Sequence, residues 1–420
     1  MPDSYSTGTI FSTGLPDWQR DYYEAVLLET LRKKSILVPF TKVVEDFTAV
    51  DTGTIHFSEV LDLEPNWNAT SESTIWKKGM YLDSRTKNIG LEWYHDIIKY
   101  SDHLETLAYL NSGDTKGIVR DKLGVAMTDM LDILAMNAFL THPSPTYAGD
   151  ATSRAELGDG APTDLFDVEI AEEIRTQMEE SDVPGVVSTE DGGAETILCV
   201  TTPRVINDIR TAVEGDWLDV QNYQSTGAKF RSEVGAWGGV RFIKTNRLKL
   251  WNRGLATTQT TLDGATVEGQ GAAATVDTIY TPGQTGSTRF ITVADTTGYA
   301  ADQYITIHAV GLGVTVTDGD GTQETRRVVQ VINGTTMSLD KPLLKAHASG
   351  DYVTNGESVH ASLFLGGPGI VMGIAERPNV IVPPKFDDAL LINRIGWRGM
   401  LKFQLWAPEL YRVHYTLGSA

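Results

Sequence analysis

Two runs with strand periodicity lie on either side of a polar stretch within residues 53–100, and this arrangement limits the possible folds. On one side of the first run, alternate residues are apolar with Glu59 as the exception: Ile55, Phe57, Leu61 and Leu63. The polar stretch, residues 64–79, contains three large apolar residues: Trp67, Ile75 and Trp76. The pattern predicts a β-hairpin with a long polar tip. Such a hairpin cannot bury its own faces, so it needs a partner surface.

A polar arm precedes the hairpin, and a long helix follows it. Residues 1–16 are rich in Ser, Thr and Gly and predict an extended arm, and residues 17–35 predict a helix that Asp17 can cap. Helical periodicity returns over residues 117–142 and ends before Pro143. Its apolar stripe is Val119, Leu123, Met127, Met130 and Leu134. The polar residues off that stripe are Asp121, Thr128 and Asp132. About 25 helical residues span roughly 40 Å, which predicts a structural spine.

Residues 164–246 alternate between helical and strand patterns and predict a small α/β domain. The first helical pattern places three apolar residues four apart: Ile170, Ile174 and Met178. A second helix is predicted from Pro203, with Thr202 as its cap. Its apolar face is Val205, Ile209 and Val213. Strand patterns cover residues 196–200 and 239–246.

The composition changes after residue 253. Residues 254–287 are rich in Gly, Ala and Thr and nearly uncharged, and several short strand patterns follow them. Asn333-Gly334 lies between two of these strands and predicts a two-residue hairpin turn. Residues 254–357 are therefore predicted as an all-β insertion, and residues 358–420 return to mixed β structure.

Net charge and cysteine content exclude several classes of function. The formal net charge is −20, whereas a protein that holds nucleic acid by neutralising phosphates needs a basic face. The densest basic cluster, Arg32–Lys34, also suits the end of a helix. The single cysteine, Cys199, permits no intramolecular disulfide, which fits a reducing cytoplasm, and its apolar surroundings predict a buried side chain. The N-terminus has no apolar signal region, and no apolar run approaches about 18 residues, so no membrane partner is expected.

The motifs in the chain predict no catalytic, cofactor-binding or metal-binding site. In Gly235–Asn246 a strand pattern follows the glycines where a phosphate-binding loop needs a helix, and no Gly-Lys is present. Asp318–Glu324 resembles a calcium loop faintly, but Thr322 and Val329 stand where that loop needs ligands, so a hairpin turn is predicted. The eight histidines have no zinc-ligand spacing. Two glutamate pairs predict solvated helix faces: Glu172-Glu173 and Glu179-Glu180.

The order of these elements resembles that of the major capsid proteins of tailed bacteriophages, which have the Hong Kong 97 (HK97-like) fold. That order is polar arm, helix, long hairpin, spine helix, small α/β domain and return to β structure. Four segments are similar to the coat proteins of N4-like phages: VDTGTIHFSEVLDL (50–63), GVAMTDMLDILAMNAFL (124–140), TPRVINDIR (202–210) and GAWGGVRFIKTN (235–246). The resemblance covers residues 17–250 and 358–420 and leaves the insertion outside it.

The resemblance implies an α+β fold with six parts. These parts are an N-terminal arm and helix (1–40), an extended β-hairpin loop (41–100), a peripheral domain with the spine helix (101–159), an axial domain (160–253), an inserted all-β domain on the outer face (254–357) and a return to the axial and peripheral domains (358–420). It also implies that the hairpin lies across a neighbouring subunit. Its anchors there would be Trp67, Ile75 and Trp76.

The resemblance further implies a coat protein that self-assembles as hexamers and pentamers in the host bacterial cytoplasm. The icosahedral head would enclose double-stranded DNA without specific binding, which suits the acidic charge. Expected partners are further copies of the chain, a separate scaffolding protein, the portal and a decoration protein, with no cofactor and no catalysis. One branch of the fold forms isopeptide cross-links, and the candidate lysines are Lys77, Lys78 and Lys87; the alternative is that these are ordinary surface lysines.

Two other functions compete with this interpretation. A cellular encapsulin-type compartment shell has the same fold, although encapsulins are shorter and lack so large an insertion. The Thr- and Gly-rich insertion also suggests a surface carbohydrate-binding protein, against which the absence of a signal region argues.

Overall fold

The computed structural model describes residues 35–46, 53–60, 83–101, 115–158, 164–187, 195–213, 218–219, 232–252, 254, 256–263, 266–267, 270–272, 289–308, 324–341, 343, 347–382 and 392–418. The chain divides into two compact units. The first unit is Met1–Asp132 with Ile370–Trp406, and the second unit is Ile133–Gly369 with Ala407–Ala420. The predicted N-terminal arm and all but the last residue of the helix predicted over residues 17–35 lie outside the described residues, as does the hairpin tip.

Three α-helices lie in the described chain: α1 (Thr115–Leu140), α2 (Val168–Glu180) and α3 (Pro203–Val213). The described strands are β1 (Lys42–Glu45), β2 (Thr54–Val60), β3 (Ser84–Gly90), β4 (Glu92–Ser101), β5 (Thr146–Tyr147), β6 (Val186–Val187), β7 (Glu195–Thr201), β8 (Leu218–Asp219), β9 (Glu233–Trp237), β10 (Val240–Lys244), β11 (Lys249–Leu250), β12 (Ala256–Thr261), β13 (Thr266–Val267), β14 (Gln270–Ala272), β15 (Phe290–Thr292), β16 (Tyr304–His308), β17 (Glu324–Asn333), β18 (Thr336–Leu339), β19 (Tyr352–Gly356), β20 (Val359–Leu365), β21 (Ile370–Ile381), β22 (Ile392–Leu405) and β23 (Tyr411–Leu417).

The first unit contains a four-stranded sheet in the order β1-β21-β22-β4. Strand β1 is parallel to β21, and the other two pairings are antiparallel. The two central strands come from the end of the chain and the two edge strands from its beginning. Strands β2 and β3 form a separate antiparallel pair, which is the body of the predicted hairpin. The sheet therefore forms only when distant parts of the sequence meet.

Helix α1 is present as predicted, but its buried stripe differs from the predicted one. Leu123 and Met127 are buried as expected, whereas Met130 and Leu134 are half-buried. The buried side continues instead through Leu131, Ala135 and Phe139. Thr128 and Asp132, predicted to lie off the stripe, are fully buried. The prediction failed because both polar side chains find hydrogen-bond partners inside the protein, which offsets their desolvation.

Asp132 of α1 binds the segment of residues 35–37 through its carboxylate. The Ser35 hydroxyl donates to its Oδ1 at 2.6 Å, and the Ile36 and Leu37 N–H groups donate at 3.1 and 3.3 Å. A buried carboxylate that accepts several hydrogen bonds from one short segment fixes the path of that segment. Asp132 thus fixes the path of residues 35–37 in the first unit.

The segment Lys122–Leu140 of α1 has the length and hydropathy of a membrane-crossing helix, contrary to the prediction that no apolar run would. Its apolar residues serve another purpose, because Leu123, Met127 and Leu131 are at most 1% exposed inside the protein. The helix is apolar because it is part of a core.

The second unit is built on a mixed sheet whose main path is β5-β23-β20-β7-β10-β9-β8. Helices α2 and α3 cover one face of it as amphipathic helices, as predicted. Their buried residues share one apolar cluster with the sheet: Phe166, Ala171, Ile174, Met178, Ile197, Cys199, Val205, Ile209, Val240, Phe242 and Phe364. Cys199 is fully buried there, and burial raises the pKa of its thiol, so it is a packing residue.

The glycine-rich segment Gly235–Asn246 is a β-hairpin and not a phosphate-binding loop. Gly238 and Gly239 have φ of 57° and 78° and form the two-residue turn between β9 and β10. Arg175 of α2 donates through Nη1 to the Gly238 carbonyl at 2.5 Å, and a Cβ at Gly239 would stand 2.5 Å from that nitrogen. The predicted strand from Val240 is confirmed, whereas the preceding strand β9 was not predicted.

Residues 256–356 contain a six-stranded sheet in the order β12-β19-β16-β17-β18-β15, with an apolar cluster of its own. The predicted turn near Asn333 is present, but one residue later, because Asn333 and Thr336 are paired. Asn333 is the residue just before the turn, and its Oδ1 accepts a hydrogen bond from the Thr335 N–H at 2.9 Å, which stabilises the turn. At the other end, the Gly254 N–H donates to the Glu357 carbonyl at 2.9 Å, so the two ends of this segment meet.

Two buried histidines in the second unit make its stability depend on pH. His414 is 1% exposed, and burial lowers its pKa to about 4. Burial, aided by the charges of Lys249 and Arg204 and opposed by that of Asp208, lowers the pKa of His360 to about 4. Both side chains are therefore neutral in the folded protein at pH 7 and become protonated only as the pH approaches about 4.

We expect the protein to lose stability as the pH falls from about 6.5 toward 4. In this range the histidines become protonated in the unfolded chain but stay neutral in the folded protein. The free energy of unfolding therefore falls by about 1.4 kcal/mol per pH unit for each histidine. Urea unfolding near neutral pH and near pH 5 measures the loss. His414→Gln should reduce it, and the same change at His95, an exposed residue of β4, should not. A full wild-type pH dependence in His414→Gln would contradict this account.

Candidate interaction site at the hairpin base

The hairpin of β2 and β3 has one inward and one outward face. Its seven antiparallel pairs run from Thr54 opposite Gly90 to Val60 opposite Ser84. Ile55 and Ile89 form an inward pair that is 1% exposed. The predicted one-sided apolar pattern is confirmed for Ile55 and Phe57, while Leu61 and Leu63 lie outside the described residues.

The chain's own sheet supplies the partner surface for the base of the hairpin. A Cβ at Gly373 of β21 would lie 3.3 Å from both Ile55 Cδ1 and Ile89 Cγ2. An added methyl group would require the ends of these side chains to shift by a few tenths of an ångström, so glycine at this position lets the hairpin pack closely on the sheet. The resemblance to capsid proteins implied a partner surface on a neighbouring subunit, but for the base of the hairpin this surface belongs to the same chain.

Glu59, the charged exception in the apolar pattern, is the centre of a cluster at this base. Its carboxylate accepts from Trp406 Nε1 at 3.0 Å and from Arg85 Nη2 at 3.2 Å, and Lys42 Nζ lies 3.4 Å away. Burial opposes the ionisation of Glu59, but these hydrogen bonds and the charge of Lys42 outweigh it and lower its pKa. The charge is kept because three donors from three different segments converge on it.

Aromatic contacts complete this arrangement, which we call the Glu59 cluster: Lys42, Phe57, Glu59, Arg85 and Trp406. The rings of Phe57 and Trp406 meet edge to face with centroids 4.3 Å apart. The Arg85 guanidinium lies 4.5 Å from the Trp406 ring centroid, and Lys42 Nζ lies 4.9 Å from that of Phe57. The cluster therefore joins β1, both hairpin strands and the end of β22.

The outward face of the hairpin is polar and free of the sheet. Its exposed residues are His56, Ser58, Val60, Ser84, Thr86 and Asn88. Val60, the last described residue before the tip, is 62% exposed. The chain thus enters the tip from a fixed base with an exposed apolar side chain. The predicted anchors Trp67, Ile75 and Trp76 lie outside the described residues, and their role stays a prediction.

Among the three candidate cross-linking lysines, only Lys87 lies in a described segment. Its Nζ donates to the Leu405 carbonyl within the first unit, so the amine is directed at its own sheet. Lys77 and Lys78 lie outside the described residues. The structure therefore favours a structural role for Lys87 at the hairpin base.

No catalytic constellation is visible in the described ranges. No group of three His, Cys, Asp or Glu side chains in those ranges could hold a metal ion. The glutamate pairs of α2 are exposed, as predicted, and Glu179 pairs with Arg175 at 2.7 Å. Of Asp318–Glu324, only Glu324 is described; it is buried and paired with Arg326.

Solved structures similar to this chain come from phage capsids and heads. The capsid of Ralstonia phage GP4 is similar over 92% of each chain, with 12% identity and a TM-score of 0.55. The head of Helicobacter pylori bacteriophage KHP40 (92% and 91% covered, 10% identity, TM-score 0.48) and the capsid of Cyanophage P-SCSP1u (92% and 89% covered, 9% identity, TM-score 0.47) also match. No protein-family model matches the chain, and no curated protein matches its sequence significantly. The first similarity shows that the chain has the fold of a phage capsid protein, which confirms that part of the sequence-based expectation.

Removing the charge of Glu59 should loosen the hairpin base. Because the carboxylate is partly exposed, we expect Glu59→Gln to cost about 1 kcal/mol or less of stability. Hydrogen exchange should speed up selectively in β2 and β3. Glu92→Gln is the matched control, since Glu92 pairs with Lys402 elsewhere on the same sheet. Unchanged exchange in the hairpin of Glu59→Gln, or equal acceleration in the control, would show that the cluster does not hold the base.

Proposed function

We propose that this chain is the major capsid protein of a tailed bacteriophage. Copies assemble as hexamers and pentamers into an icosahedral head that encloses double-stranded DNA. The observation that carries the proposal is the fold shared with the capsid of Ralstonia phage GP4 over 92% of both chains. The role is structural, without catalysis or a cofactor.

The hairpin supports this proposal through the way its two ends differ. Its base is held by the Glu59 cluster and by packing of Ile55 and Ile89 at Gly373. Its tip contains Trp67, Ile75 and Trp76 among polar residues. A rigid base with an apolar-bearing tip suits a loop that reaches onto a neighbouring copy, where aromatic side chains are the residues that most often anchor interfaces.

The charge of the chain is consistent with enclosing DNA without gripping it. With 55 acidic and 35 basic residues, the subunit has little electrostatic attraction for phosphates. In this proposal residues 101–159 belong to the peripheral domain, residues 160–253 to the axial domain and residues 254–357 to an outer inserted domain. Assembly would occur in the bacterial cytoplasm with a separate scaffolding protein, a portal and a decoration protein. Closeness to the coat proteins of N4-like phages is part of the same proposal.

Particle formation by the purified protein tests the proposal, with variants of the tip as the critical arm. The wild-type chain should form closed shells or capsomer rings in negative-stain images. Replacing Trp67, Ile75 and Trp76 by Ser should leave a folded subunit that does not assemble, because the tip then loses its apolar anchors.

The matched control removes exposed apolar groups elsewhere. Val329 and Ile332 on β17 are 49% and 38% exposed, and their replacement by Ser should leave assembly intact. Circular dichroism verifies folding in each variant. A wild-type protein that stays monomeric under all assembly conditions would contradict the proposed function. A tip variant that forms normal particles would contradict the proposed role of the tip.

A further inference from the structure

A groove of about 530 Å³ opens in the second unit beside the start of helix α3. Its lining comes from three segments of the chain: Thr202, Pro203, Arg204 and Asn207 of α3 and its approach, Asn246, Lys249 and Trp251 after β10, and His360 of β20. Strand β11 places Lys249 directly opposite His360 in an antiparallel pair. The sheet thus brings residues that are far apart in the sequence to one polar surface.

Two cations face this groove. Arg204 is exposed at the second position of α3 and has no hydrogen bond or ion pair with the described residues. Lys249 Nζ lies 3.7 Å from the ring centroid of Trp251. Burial, together with the charge of Arg204, lowers the pKa of Lys249, so the site brings two like charges together. Asp208 on the same helix supplies one carboxylate near His360, and the pair of cations at Arg204 and Lys249 favours a further anion.

His360 adds an uncharged polar group to the same groove. The residue is 5% exposed, and its Nδ1 lies 2.7 Å from the Thr202 hydroxyl. The ring, held by Thr202, adds a neutral polar group to the lining of the groove beside Arg204 and Lys249.

The size and walls of the groove select the kind of anion. About 530 Å³ is the volume of sites that hold organic ligands, and a bare inorganic ion would fill little of it. Trp251 is fixed by stacking on Tyr304 with centroids 4.3 Å apart, and its ring positions Lys249 Nζ at the groove. Asn207 and Asn246 offer amide groups that suit a peptide backbone. These features fit a carboxylate on a peptide segment better than a free phosphate.

We infer that this groove binds an acidic peptide segment of a second copy of this chain, with a carboxylate between Arg204 and Lys249. The inference rests on the proposed function, since it makes the groove a contact between subunits. Each copy has an excess of acidic residues, so contacts between copies need local cations to offset their repulsion. Arg204 can bind a carboxylate through two parallel hydrogen bonds, and Lys249 supplies a second positive charge.

The first test measures binding by unassembled full-length protein, with a hexaglutamate peptide as the probe and calorimetry as the readout. We expect saturable binding that Arg204→Glu or Lys249→Glu weakens at least tenfold. Lys244→Glu on β10 is the control, because it changes the net charge equally at an exposed position outside the groove. Inorganic phosphate, the second probe, should bind at least tenfold more weakly than the peptide. Equal weakening by all three variants, or equal affinity for phosphate, would overturn the inference.

The second test measures assembly of the same variants after circular dichroism has shown that they are folded. Arg204→Glu should lower the yield of particles at least tenfold relative to Lys244→Glu. Normal assembly of a variant that no longer binds hexaglutamate would show that no second copy occupies the groove. If the wild-type chain itself forms no particles, the proposed function fails, and the calorimetry still decides whether the groove binds acidic peptides.

Discussion

Both units depend on pairing between strands that lie far apart in the sequence. In the first unit, the central strands β21 and β22 come from residues 370–405 and pair with β1 and β4, which lie about 300 residues earlier. In the second unit, β20 lies between β7 and β23. Neither sheet is complete until the last part of the chain has returned. Such non-local pairing carries a large entropy cost of closure, which the buried faces of the sheets must offset.

The inserted segment, residues 256–356, is tolerated between β11 and β20 because its two ends meet. The hydrogen bond from Gly254 to Glu357 brings the chain back to where it left, and residues 256–356 form their core from their own side chains. An insertion of this kind adds a folded body without moving the strands on either side. Trp251, which comes just before this junction, lines the groove at Arg204 and Lys249. Its ring is fixed by stacking on Tyr304 of the inserted segment. The inserted segment therefore contributes to a surface as well as to the mass of the protein.

Local periodicity predicted the elements whose partners are close in sequence. The faces of α2 and α3, the hairpin of β2 and β3 and the turning role of the glycines in Gly235–Asn246 could all be read from residue spacing. Features that depend on distant partners could not be. Asp132 reads as a solvent-facing residue of α1, because its donors lie nearly 100 residues earlier. Glu59 was visible as a charge in an apolar pattern, but its partner Trp406 is 347 residues away and could not be predicted. The groove at Arg204 and Lys249 has no sequence signal, because the sheet alone assembles it.

Electron cryo-microscopy of assembled particles can show whether the hairpin is fixed at its base by its own chain and held at its tip by another copy, as we propose. We predict a closed shell in which the Glu59 cluster lies within one subunit and the density for residues 61–82 rests on a neighbouring subunit, with Trp67, Ile75 and Trp76 in the contact. A shell in which residues 61–82 contact only their own subunit, or a particle-free preparation of folded monomers, would contradict the account.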